Sequence, residues 1–310
     1  MDRREFIQKA LKYAAAAFGA VGLSKLKPLF GQAAVANPSP ATKYDLVAVK
    51  NGGPAAMFDA GIKALGGMKA FVKPGQKVLV KPNIGWDAAP EMAANTNPLL
   101  VKRIIEHCFD AGAKTVYVFD NSCNYYERCY ENSGIAKAAR AAGATVVPAN
   151  AESSYKAVSI PSAKYLKSVK VHEVVLDSDV FINVPILKNH GSSRLTMAMK
   201  NLMGIVWDRG FFHATGLHEC IADFCRYRKP DLNVVDAYRI LLRNGPRGGS
   251  TADVRLEKTQ LLSTDIVAVD AASAKVFGVD PAQIPHVKLA ADAGIGRMDL
   301  DKLNICRISL

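Results

Sequence analysis

Residues 177–218 concentrate side chains able to move protons and hold anions. An apolar run over 180–187 leads into Lys188, Asn189 and His190; Lys200 and Asn201 follow, with His213 beyond. His190 is the first candidate acid/base, because imidazole titrates near neutrality, and the same ring can ligate a metal. Lys188 and Lys200 suit a carboxylate or phosphate. The backbone N–H groups of Gly191, Ser192 and Ser193, just before an expected helix, offer further contacts to an anion.

Other candidates stand where inferred strands end: Lys81 with Asn83, Asp120 with Asn121, Asp236, and Asp270. Ligands of open α/β sheets sit outside the carboxyl ends of the strands. With Lys188 and His190, five endings on one edge predict a pocket with cationic and acidic walls. In the mechanism this implies, His190 exchanges a proton with substrate and Lys188 and Lys81 neutralise its anion. Asp120 or Asp236 then orients a cation or hydroxyl, while Asn83, Asn121, Lys200 and Asn201 bind substrate or cofactor. His213, His218, Cys220 and Cys225 form a second set of metal-ligand types. His218 and Cys220 are two apart, however, a poor spacing on one helix, and structural cysteines with a loop histidine are the alternative. The loop RNGPRGGS (243–250) is Gly-rich and basic but fits neither the Walker nor the dinucleotide fingerprint.

The elements that must position these groups alternate. Strands are expected at 45–50, 77–81, 115–119, 144–147, near 158–160, 180–187, 233–236 and 264–269, with an edge strand in 304–310. Helices are expected from Pro54 to Gly66, from Pro98 (capped by Asn97) to Gly112, over 134–142, from Ser192 or Ser193 to Leu202, over 218–227 and over 271–277. The alternation predicts an α/β fold: a mostly parallel, Rossmann-like layered sheet with helices on both faces and right-handed crossovers, possibly with a small subdomain. The 15 residues from Asn83 to Asn97 exceed a usual strand-to-helix connection and suit a functional or lid-like role.

Residues 1–36 read as a twin-arginine signal: Arg3 and Arg4, a mild apolar stretch over 10–23, and Ala34, Val35, Ala36 as a cleavage site. Residues 37–43 make a linker, leaving 44–310 as a single α/β domain. The expectation is passage through the twin-arginine machinery to the periplasm or another extracytoplasmic space, with no stable membrane span after cleavage. The formal charge is +12, of which residues 1–36 contribute six Lys/Arg against two Asp/Glu, so +8 remains. That balance favours anionic ligands. No basic run with interleaved aromatics and no zinc-finger or helix-turn-helix spacing argues for specific nucleic acid. The six cysteines contain no C-x-x-C pair and no ferredoxin-type run; Cys123 and Cys129 are read either as a disulfide or as free thiols.

Three blocks give a resemblance. Lys81, Pro82 and Asn83 end one strand; Asp179, Ile182, Asn183, Pro185, Lys188 and His190 form the second block; Thr196, Lys200, Asn201 and Gly204 form the third. In these the chain resembles the family known as domain of unknown function 362, over nearly all of residues 44–310. Many relatives carry an additional ferredoxin-like cysteine segment, which this chain lacks, so the resemblance does not extend to a cluster of its own. In pattern alone, His190, Lys200 and His213 are also similar to the nickel-pincer lactate racemases. That resemblance implies a base, a cofactor-attachment lysine and a metal ligand, in that order. Together these readings point to an exported enzyme, dependent on a metal ion or metal-containing cofactor and acting on a small anionic substrate. A non-catalytic carrier or maturation protein for a metal or redox partner is the alternative.

Overall fold

The computed structural model describes residues 43–310; the expected signal segment and the linker up to residue 42 lie outside the described residues. In chain order the strands and helices are β1 (Leu46–Lys50), α1 (Pro54–Ala64), β2 (Lys77–Pro82), α2 (Pro98–Asp110), β3 (Thr115–Val118), α3 (Tyr126–Asn132), α4 (Ile135–Ala141), β4 (Thr145–Val146), β5 (Tyr155–Ser159), β6 (Ser168–His172) and α5 (Glu173–Asp177). There follow β7 (Val180–Val184), β8 (Ile186–His190), β9 (Arg194–Thr196), α6 (Ala198–Asn201), α7 (Gly210–Thr215), α8 (Leu217–Phe224), β10 (Leu232–Leu241), β11 (Val254–Ser263), α9 (Ile266–Phe277), α10 (Pro285–Asp292) and β12 (Ile305–Ser309). The main sheet has the order β12-β1-β11-β10-β7-β2-β3-β4, with the β8–β9 hairpin joined to β10. Neighbours pair parallel except β11, which runs against both β1 and β10, and β9, which runs against β8. The fold is thus α/β with a mostly parallel sheet.

Central strands are apolar on both sides because helices cover both faces. In β2, Leu79 packs into one core while Val78 and Val80 enter the other; in β7, Phe181 faces the first and Val180, Ile182 and Val184 the second. Residues from α6, α8, α9 and α10 fill the first core, and residues from α1, α2 and α4 fill the second. Asn97 caps α2 as its spacing requires, accepting the Leu99 N–H at 3.0 Å, with Pro98 opening the helix.

Several expected boundaries move. The apolar run over 180–187 breaks at Pro185, which has no N–H for a ladder. β7 therefore ends at Val184, and Lys188 and His190 stand on a separate strand, β8. The helix expected from Ser192 or Ser193 begins only at Ala198, because β9 folds back antiparallel on β8. Asp236 lies inside β10, next to the register shift between Ala237 and Arg239, and does not end a strand. The strand expected over 264–269 is helical. Asp265 accepts the N–H groups of Val267 (2.9 Å) and Ala268 (3.0 Å) and so starts α9, placing Asp270 inside that helix. The missing strand is β11, and the strand near 158–160 belongs to the separate β5–β6 pair.

Phe181, fully buried in the central strand, is a direct probe of this core. Phe181→Ala is expected to lower unfolding free energy by about 3–5 kcal/mol, measured by urea titration; a loss below about 1 kcal/mol would contradict the packing.

Candidate functional site

One buried ion pair forms the floor of a cavity at the sheet edge. Lys81, near the end of β2, has its Nζ 2.7 Å from Asp120 Oδ1, and both side chains are almost wholly withdrawn from solvent. The same amine donates to Pro82 O (2.8 Å) and to Asn201 Oδ1 (3.2 Å). Asp120, two residues past β3, accepts the Ile84 N–H on Oδ2 at 2.6 Å, while its own N–H donates to the Tyr130 hydroxyl at 2.6 Å. Burial pulls the Lys81 ammonium below its ordinary pKa, opposed by the Asp120 charge.

Amide side chains tie this floor to the sheet. Asn201 Oδ1 accepts from Asn83 Nδ2 (3.0 Å), and Asn201 Nδ2 donates to Asn183 Oδ1 (2.9 Å). Asn183 Nδ2 in turn donates to Asn233 Oδ1 (3.0 Å). The short α6, which carries Lys200 and Asn201, is held from below by Asp270, whose carboxylate accepts the Ala198 and Met199 N–H groups at 2.6 and 3.0 Å. Burial nevertheless pushes the Asp270 pKa up to about 7. Gly204 closes the floor: a Cβ there would run into Asp120 Oδ1 and lie 2.7 Å from Lys81 Nζ.

The cavity above has a volume of about 360 Å³. Lys188 Nζ enters it from β8, donating to Asn83 Oδ1 (3.2 Å) and to the Ala94 carbonyl. Burial, with Lys200 and Lys81 adding repulsion, lowers its pKa to about 7. Lys200 is pushed down to about 8 by burial and then by the cations of Arg209 and Lys81. The Arg209 guanidinium is clamped by carbonyls, donating to Asn121 O (2.6 Å) and Ser122 O (2.7 Å), with the Cys123 sulfur 3.3 Å away. His190 is pushed down to about 3 by burial and by Lys200, Lys188 and His213. Its Nδ1 accepts the backbone N–H groups of Ser192 (3.2 Å) and Ser193 (3.3 Å). The turn amides are therefore engaged by the ring, and the neutral imidazole carries its proton on Nε2. His213 is exposed at the rim, and burial followed by Lys200 and Arg209 lowers its pKa.

Eight of the residues singled out by the sequence line this one cavity: Lys81, Asn83, Asp120, Lys188, His190, Lys200, Asn201 and His213. Two do not. Asn121 turns its amide away to the Val206 and Trp207 carbonyls (2.8 and 3.3 Å). Asp236 accepts the Asn97 N–H (2.7 Å) and the Tyr238 N–H (3.0 Å), with burial raising its pKa to about 6. Arg209, Cys123 and Trp86 join the lining without having been picked out as binding residues. Cys123 and Cys129 are free thiols, as are the other four cysteines.

Of the four metal-ligand types between His213 and Cys225, the two cysteines are structural. Cys220 and Cys225 are buried in the first core, and His218 Nδ1 instead lies 3.0 Å from His286 Nδ1. Among the described residues no three His, Cys, Asp or Glu side chains converge to hold a metal ion. His213 belongs to no such group among the described residues. Among the same residues no helix is long and apolar enough to cross a membrane.

An α/β sheet with a cation-walled cavity at one edge defines the class, and comparison places it. The family described as Domain of unknown function (DUF362) matches residues 78–275, and the chain belongs to that family. Every cavity residue named above lies within the match. A thylakoid-associated protein of Synechocystis sp. is 29% identical over 243 residues, covering 76% of this chain and 73% of its own. The lactate racemase apoprotein from Thermoanaerobacterium thermosaccharolyticum aligns with 72% of this chain at 9% identity and a TM-score of 0.41. This chain covers 55% of that protein's length.

Gly204→Ala tests the floor. The added methyl displaces a buried ion pair, so a loss of about 3–5 kcal/mol is expected in urea unfolding. A variant as stable as the wild type would show that the Lys81–Asp120 pair is not confined as described.

Proposed function

We propose that the cavity captures a small organic anion and that the protein is an enzyme acting on it. The observation that supports this is a charge imbalance within one enclosure. Lys81, Lys188, Lys200 and Arg209 face a single carboxylate, Asp120, which Lys81 already occupies. Among the described residues, Lys188 and Arg209 are held only by carbonyl and amide oxygens and a thiol sulfur, and Lys200 by no polar partner. Withdrawing several cations from water without counter-charge is costly, and an anion in the cavity removes that cost. The volume suits an acid of a few carbons.

In this reading Lys188 and Arg209 hold the anion, Arg209 as a planar fork fixed by the Asn121 and Ser122 carbonyls. His190 serves as a neutral hydrogen-bond donor through Nε2 rather than as the base, because two backbone N–H groups occupy Nδ1. Proton exchange falls to amines brought near neutrality by burial. Delivery to an extracytoplasmic compartment, proposed from Arg3 and Arg4, is a separate matter, tested by fractionation with the Arg pair replaced by Lys.

The binding claim is checked by calorimetric titration with oxalate and phosphate. Arg209→Met and Lys188→Met should each weaken binding by about tenfold or more. Wild-type affinity should fall as pH rises from about 6 to 9, because Lys188 and then Lys200 lose protons and hence positive charge across that window. Binding that is absent at every pH, or indifferent to both substitutions, would sink the reading.

A further inference from the structure

We propose that Lys200 is an imine-forming lysine whose amine condenses with the carbonyl carbon of a small 2-oxo acid held in the cavity. The inference rests on the anion-binding reading of the same site and names its substrate class.

The three lysines of the cavity are not equivalent. Lys81 Nζ meets three acceptors, Asp120 Oδ1, Pro82 O and Asn201 Oδ1, so all its N–H directions are committed. Lys188 Nζ is fixed by two, Asn83 Oδ1 and the Ala94 carbonyl, in a position to hold charge. Lys200, among the described residues, makes no hydrogen bond and no ion pair, yet it lines the same enclosure. A nucleophilic amine needs this freedom, because its lone pair must face substrate rather than be turned away by a fixed acceptor geometry. Its backbone is not free: Asp270 pins the first turn of α6, and Asn201, the next residue, is locked into the amide network. An amine without a fixed hydrogen-bond partner on an anchored backbone, crowded by cations, is the arrangement that activates lysine toward carbonyls. With its pKa lowered to about 8, a tenth or so of the amine is uncharged at pH 7, against less than one in a thousand for an ordinary lysine.

The remaining groups suit a carbonyl next to a carboxylate. Lys188 and Arg209 take the carboxylate, and the His190 Nε2–H donates to the carbonyl oxygen, polarising it. The neutral amine nitrogen attacks the carbonyl carbon, a C–N bond forms, and one amine proton passes to the oxygen to give a carbinolamine. The C–O bond then breaks, and the hydroxyl takes a proton from a neighbouring ammonium and leaves as water. The protonated imine remains, so one water is released per imine formed and no oxidant or reductant is required.

The test is borohydride trapping on the full chain with pyruvate and, separately, glyoxylate, read by intact mass and peptide mapping, beside oxalate titration of the same preparations. One reduced adduct per chain, mapped to Lys200 and absent in Lys200→Arg, is expected; Lys188→Met should lower its yield severalfold. Oxalate binding without any adduct overturns the imine and leaves the anion site standing. Absence of both binding and adduct overturns the two together. An adduct that maps elsewhere or persists in Lys200→Arg also overturns the proposal.

Discussion

The Lys81–Asp120 ion pair is the constraint on which the rest of the site depends. A buried pair is maintained only when the remaining hydrogen-bonding capacity of both partners is met. Here it is met from three directions: the Pro82 carbonyl and Asn201 amide for the lysine, the Ile84 N–H for the carboxylate. These partners come from β2, the loop after it and α6. Satisfying one ion pair therefore fixes how three parts of the chain distant in sequence meet: β2 with the loop after it, the residues past β3 that carry Asp120, and α6. Gly204 belongs to the same requirement, since no side chain fits against the pair.

Once the pair is fixed, Asp120 is unavailable to the other cations. Lys188, Lys200 and Arg209 share the enclosure without a carboxylate of their own, and burial first, then the repulsion among these cations, accounts for the lowered lysine pKa values and for the neutral His190 ring. The protein holds these charges close by rigid means: carbonyl clamps on Arg209, the Ala94 carbonyl on Lys188, and Asp270 beneath the turn bearing Lys200. Positional order with unmet charge is what a binding site requires before its ligand arrives.

Much of this was legible in the sequence, and the parts that were not have identifiable causes. The strand ends bearing Lys81, Asp120 and Lys188 could be paired with one edge because parallel strands impose a shared direction. Lys200, Asn201 and His213 joined them through the spacing of one stretch. The apolar run over 180–187 concealed the break at Pro185, since residues on both sides of it are buried and look alike. β11 escaped notice because its first half is charged and half-exposed, and its buried half opens with the polar Thr259 and Gln260 before the apolar Leu261 and Leu262. Asp236 and Asp270 look like site acids in sequence but serve backbone N–H groups, a role that depends on partners far along the chain. Arg209 was invisible for the same reason: the carbonyls that aim it belong to residues 121 and 122.

The central claim, that the cavity is built around an absent counter-charge, is tested most directly by diffraction from crystals soaked in selenate, using the anomalous signal of selenium. The account predicts a strong peak inside the cavity, within hydrogen-bonding distance of Lys188 and Arg209 and weaker in crystals grown at pH 9. Peaks confined to surface lysines, with only water between those two side chains, would contradict it.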